Sequence, residues 1–510
     1  MFASPESRTQ PPLPAALPGP AEVVNLPSPG LPADHGLASL GLVMQLAGRT
    51  TAALVALLAS LAWLDGRLDR YGASHTAWLG LAIALCIARS QLHRVAGRDL
   101  AYGRRWTEGD PFDATRTYCV LALGQAVAIG AIAARVFDQP WPAAAGITAA
   151  LSLWPCALAV IFYVEYRSRP LRVEPLRAGL PLGEDRGLEG ASILMTVLGA
   201  YGVVSTGGIV VMLGALSPHH VQHGWGVMLL VVFALLVVRS SLQIRAGLAG
   251  LRDSSFQRSF DRPCELAGRY AAFGVISAFC VGGVLVLLAM AERLTPDAIL
   301  SVAVACWLLI TWPMIVKRYF SQRQFAELLA GDRVTHRRAP DAGLTALGWL
   351  LAGHATLVAA VVILQLTGHP RLGPQLGRVT DHALVLSGLA VGRWWLIDAG
   401  LAVASVVLEL AAAAALIRMS DQRRAITTIY AVFAGVVALG PAVPVLASLG
   451  HQLSIWTGIQ LLPSAVQLVM PVAALLLVHR AVIPAARVVD RTPRRSDRQP
   501  DRQRKFPDSM

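Results

Sequence analysis

Glu409 is the residue in this chain best placed to do chemistry. Ser405-Val406-Val407-Leu408 precede it and Leu410 with five alanines follows, so an acid stands in the middle of an apolar run. It lies about nine residues from the basic end of that run, roughly 13 Å deep at the helical rise. A carboxylate at that depth needs a partner or a proton to neutralise it. His354, about ten residues into the preceding apolar segment, falls at a similar depth and is the nearest candidate. The two residues are expected to form a protonatable or ion-coupling pair facing the inside of a helix bundle. The competing reading is a single Glu held by interhelical hydrogen bonds for packing.

A second group of side chains sits in Ser217-Pro218-His219-His220-Val221-Gln222-His223. If this segment forms one helical turn after Pro218, His219 and His223 share a face at the i, i+4 spacing that suits a transition metal. The loop holds no Asp, Glu or Cys to complete such a site, and a polar interfacial turn is the simpler account of it. The cysteines (Cys86, Cys119, Cys156, Cys264, Cys280, Cys306) form no C-x-x-C pair, so neither a disulfide framework nor a thiolate metal site is indicated. There is no Walker-type phosphate loop, no H-E-x-x-H and no Gly-x-Ser-x-Gly. Loops between apolar segments reach about 25 or 30 residues, too short for a globular catalytic domain. No catalytic residue and no cofactor is therefore expected. Any enzymatic reading would have to be intramembrane chemistry on lipid.

The elements that must position Glu409 and His354 follow from composition. Of 510 residues, 55% are hydrophobic and 15% charged, well below the quarter or so that soluble domains carry. The apolar residues gather into long runs, each able to cross about 30 Å of hydrocarbon as a helix. The spans expected in the first half are Leu40–Leu64, Thr76–Ala96, Ala114–Val136, Trp141–Val164, Ala191–Leu216 and Gly226–Ala246. The second half gives Ala267–Met290, Ile299–Val316, Leu344–Leu366, Trp395–Ile417, Ala425–Leu446 and Ile455–Val478. The expected fold class is thus an all-α integral membrane protein of about twelve transmembrane helices.

The net charge of +13 is read as membrane topology and not as nucleic-acid binding. Lys and Arg crowd alternate loops: six from Arg89 to Arg116, five from Arg167 to Arg186, and six from Arg239 to Arg269. The positive-inside rule then places both termini in the cytoplasm, with a bacterial inner membrane as the expected location. Residues 1–36 contain nine prolines, show no cleavable signal pattern and are expected to be a disordered leader. Residues 481–510 form a basic, disordered cytoplasmic tail that can lie along anionic lipid headgroups.

Internal repetition organises the middle. A Gly recurs at Gly48, Gly199 and Gly353, a Tyr at Tyr118, Tyr270 and Tyr430, and a Pro at Pro155, Pro313 and Pro471. Ala84-Leu85, Arg89-Ser90, Leu92 and Ala96-Gly97 recur as Ala234-Leu235, Arg239-Ser240, Leu242 and Ala246-Gly247. These anchors predict three tandem, parallel four-helix repeats at 37–170, 187–325 and 341–480. In that register Arg89, Arg239 and Glu409 correspond, although Arg418 is an alternative counterpart of Arg239. Arg89 and Arg239 are expected to snorkel to the inner interface. The Pro residues should each break a helical hydrogen bond, and the Gly residues should admit a close neighbour.

Gly66-Arg67-Leu68-Asp69-Arg70-Tyr71-Gly72 resembles the loop motif of the major facilitator superfamily, whose members commonly have twelve helices. It lacks one residue before the Asp-Arg pair and the basic residues after the second Gly. It also follows the first helix on the outer side, and that family is built from six-helix halves. No family is assigned on it. The leading functional expectation is transport or permeation of a small solute or ion. The alternatives are a non-catalytic scaffold or complex subunit and, third, an intramembrane lipid-modifying enzyme.

Overall fold

The computed structural model describes residues 37–64, 72–102, 113–162, 188–216, 226–253, 261–291, 296–330, 342–368, 395–418, 420–440, 442 and 455–480. These are helical, with no strand among them. In chain order the helices are α1 (Leu37–Leu64), α2 (Ala73–Tyr102), α3 (Asp113–Arg135), α4 (Trp141–Ile161), α5 (Leu188–Leu216) and α6 (Gly226–Asp253). They continue as α7 (Asp261–Ala291), α8 (Pro296–Ala330), α9 (Ala342–Gly368), α10 (Trp395–Ile417), α11 (Arg423–Leu439) and α12 (Ile455–Arg480). Several outrun the apolar spans that seed them. Helix α2 continues six residues past Ala96 and α6 seven past Ala246, because Arg, Gln and Leu sustain a helix in water as well as in lipid.

Nine of the described helices are long and apolar enough to cross a membrane, which makes the chain an integral, multi-pass membrane protein. The three others fall short for identifiable reasons. Helix α2 carries Arg89, His93, Arg94, Arg98 and Asp99 in one half, α11 has 17 residues, and in α12 the apolar helix among the residues described with their side chains is Ser464–His479. The surface bears out the reading. Helices α3, α7 and α11 each bury a tyrosine completely (Tyr118, Tyr270, Tyr430) while turning Val120, Phe279 and Val436 outward at 64% exposure or more. A soluble protein does not leave large aliphatic and aromatic faces uncovered all round; lipid covers them here.

Packing follows chain order within each group of four helices. The first packs on the second, the second on the third and the third on the fourth, from α1–α4, α5–α8 and α9–α12. Between groups the order changes. Helix α4 packs on α9, α12 on α5 and α8 on α1, which closes a ring of three groups. At its centre α1, α5 and α9 meet one another. Their leading ends are the most deeply buried part of the molecule, through Leu37, Leu40, Met44, Leu194, Met195 and Trp349. Gly190 faces Ser39 of α1 and Ala346 of α9, and a methyl group added there would lie 2.7 Å from the Ala346 side chain.

Small residues let the backbones approach. A methyl group at Gly97 would lie 2.6 Å from the Gly41 carbonyl oxygen and 2.8 Å from the Gln45 nitrogen. At Gly247 the same distances, 2.6 and 2.8 Å, separate it from the Ser192 oxygen and the Thr196 nitrogen. In the last group the roles reverse: Ile417 supplies the bulk, and its Cγ1 would lie 2.9 Å from a methyl group at Gly348. Gly48 and Gly199 also meet their second helices closely, at 2.7 Å from the Ser90 oxygen and 3.1 Å from the Ser240 oxygen. Gly353 departs from the expectation, since its nearest neighbour would be the Trp154 ring at 3.9 Å.

Candidate functional site

Helices α9 and α10 bring His354 and Glu409 into direct contact, with His354 Nδ1 at 2.8 Å from Glu409 Oε1. They are adjacent antiparallel elements, so residues at matched depth meet across the seam. Glu409 keeps 3% of its side-chain surface exposed and His354 keeps 27%, so the pair is closed on the acid side and open on the imidazole side. Two tyrosines complete the surroundings. The Tyr430 hydroxyl of α11 hydrogen-bonds to the Glu409 carboxylate. Tyr201 of α5, from another group of helices, approaches the same carboxylate. Its hydroxyl is buried and has no hydrogen-bond partner among the described residues. An ionisable acid held between an imidazole and two phenols in a helix bundle can gain and lose a proton, or hold a cation.

Arg89 and Arg239 are placed differently from the snorkelling expected of them. Arg89 Nη2 of α2 donates to the Leu151 carbonyl of α4, and Arg239 Nη2 of α6 donates to the Leu309 carbonyl of α8. Each acceptor lies four residues before a proline inside its helix, Pro155 and Pro313. Proline has no N–H, so those carbonyls lose their helical donor. The guanidinium supplies a replacement where water cannot. Tyr118 and Tyr270 lie against the same two guanidiniums. One nitrogen of each, Nη1, is buried without a hydrogen-bond partner among the described residues.

Tyr118, Tyr270 and Tyr430 lie beside Arg89, Arg239 and Glu409 respectively, so two of the three tyrosines meet a cation and one meets an acid. Helix α12 carries Pro471, which frees the Gln467 carbonyl, yet the residue beside Tyr430 is an acid with no N–H to offer.

One polar cluster went unread in the sequence. Trp154 Nε1 donates to His93 Nε2 at 2.9 Å, and the His93 ring stacks on Tyr118 with centroids 4.6 Å apart. The available signal was spacing: His93 stands one turn after Arg89 on the same face of α2. Gln45 and Gln243 form interhelical bonds of the same kind, to the Gly97 and Met195 carbonyls. His219 and His223 lie outside the described residues. Among the described residues no three His, Cys, Asp or Glu side chains gather closely enough to hold a metal ion. No protein-family model, no curated protein and no solved structure matches the chain.

Proposed function

We propose that this chain moves a small solute or ion across the membrane, with Glu409 and His354 as the protonatable pair that couples the movement. The observation that carries the reading is the 2.8 Å contact between the two at matched depth in adjacent apolar helices. Ionisable residues are costly in a bilayer and usually mark ion or proton pathways. His354 keeps more of its side chain uncovered than Glu409 does, which favours the imidazole as the group that takes up and passes on the proton.

The same reading takes the architecture as three tandem, parallel four-helix units at 37–170, 187–325 and 341–480. All twelve helices then span a bacterial inner membrane, and both termini are cytoplasmic. The matched Arg, Tyr and Pro positions and the ring of contacts support the repeat. Loop charge supports the orientation. The tail 481–510 would lie along anionic headgroups.

The purified protein in sealed vesicles containing a pH-sensitive dye tests this. With an imposed membrane potential and mixed pools of ions and small solutes outside, the wild type should move protons faster than empty vesicles. Glu409→Gln should abolish the difference. Equal flux for wild type, Glu409→Gln and empty vesicles under every condition would discard transport. A non-catalytic scaffold would then be the better reading, and the bonds of Arg89 and Arg239 to helix carbonyls are compatible with it.

A further inference from the structure

We infer that the species exchanged at Glu409 is a small organic cation bearing N–H groups, an ammonium or guanidinium compound, and that it competes there with the His354 proton. The inference rests on the transport reading and names its substrate class. In the first two groups of helices a guanidinium occupies one defined place, against the third-helix tyrosine and on the carbonyl freed by the fourth-helix proline. In the third group the tyrosine (Tyr430) and the proline (Pro471) persist, but the covalently held cation is replaced by a carboxylate. An ionised glutamate is shorter than an arginine and ends in acceptors, so it supplies no donor for the carbonyl four residues before Pro471. A free cation with N–H donors would bring what the guanidiniums bring elsewhere.

Charge selects the same class. Among the described residues, the titratable groups facing the Glu409 carboxylate are His354 of α9, Tyr430 of α11 and Tyr201 of α5, and α4 places the Trp154 ring beside Gly353. With His354 protonated the pair is neutral and complete. When His354 gives up its proton, the carboxylate is left with one net negative charge, which an incoming cation neutralises. Binding of the cation therefore releases a proton, and acid weakens binding. The Tyr201 hydroxyl, buried and without a partner among the described residues, offers the bound cation an additional acceptor.

The experiment uses the full chain in lipid nanodiscs, in weakly buffered solution with a pH indicator. Guanidinium chloride and methylammonium chloride are titrated against sodium chloride at equal ionic strength. Both organic cations should release about one proton per chain at saturation, as linkage between the two sites requires, and sodium should release none. Glu409→Gln should weaken binding by at least about tenfold, and His354→Gln should still bind but release no proton. Glu409→Arg carries its own guanidinium, so it should fold and bind neither cation, which guards against misfolding as the cause of loss. The inference is overturned if sodium acts as the organic cations do, if wild type releases no proton, or if Glu409→Gln or Glu409→Arg binds like wild type. Vesicle proton flux without cation-driven release defeats this inference alone. Cation-driven release without flux defeats the transport reading and leaves a binding site.

Discussion

The second helices of the first two groups and of the third meet the same structural problem with opposite charges. At Arg89 and Arg239 a guanidinium is committed to a backbone carbonyl and replaces the N–H donor that a helix proline lacks. At Glu409 the charge is committed sideways, to an imidazole on the first helix, and an ionised acid has no donor to give to the interrupted fourth helix. The first arrangement has a fixed partner that cannot titrate. The second has partners of titratable type, an imidazole and two phenols. Under the proposed function, structural work and exchangeable chemistry occupy corresponding places, and the sign of one side chain separates them.

Substitutions can break that comparison. The largest effect is expected where backbones touch: Gly247→Ala and Gly97→Ala should each cost about 3 kcal/mol, the upper part of the overpacking range. Thermal unfolding in detergent measures it, and unchanged melting would refute the close approach. Next, Arg239→Leu leaves the Leu309 carbonyl without its donor and should cost about 2 kcal/mol. Glu409→Gln, which keeps acceptors for His354 and Tyr430, should cost less than about 1 kcal/mol. A reversed order would mean that Glu409 is the structural residue and Arg239 is not. Smaller still, Gly199→Ala should destabilise by about 1 kcal/mol, while Gly353→Ala stays within about 0.5 kcal/mol. Equal losses at both would restore the equivalence that the 3.9 Å gap at Gly353 denies. Least of all, Tyr201→Phe removes a hydroxyl with no partner among the described residues and should leave melting within about 0.5 kcal/mol. A large loss there would show that the hydroxyl is bonded in the resting protein.

What could be read in advance was what depth and period control. Glu409 and His354 were paired by counting residues from the ends of adjacent apolar runs, since antiparallel neighbours place equal depths side by side. The helices start where the apolar runs begin to within about six residues, but several end elsewhere: the helix expected to stop at Val316 continues to Ala330, because polar residues beyond the apolar run extend it. Tyr201 was not legible as a third neighbour, because it reaches Glu409 across a seam between groups, and no local pattern encodes which groups touch. The arginines were misjudged by treating them as isolated side chains near an interface. The prolines four residues beyond Leu151 and Leu309 already announced two carbonyls in want of a donor. A Gly counterpart at Gly353 was read from spacing alone, whereas the close contact in that group passes through Gly348 and Ile417.

The order in which the groups close the ring sets a condition on biogenesis. Helix α4 is made early, yet the surface that covers it belongs to α9 and not to the helix that follows it in the chain. Some 207 residues separate the end of α4 at Ile161 from the end of α9 at Gly368. At about 5–20 residues per second, the face around Trp154 waits roughly 10–40 s for its partner. Helix α1 likewise waits for α8. During that interval a nascent chain holding one or two groups has open seams rich in small residues, and a second nascent chain at high expression can occupy them. A chain cut off after α8 would therefore leave the α4 seam uncovered, whatever the stability of its first two groups.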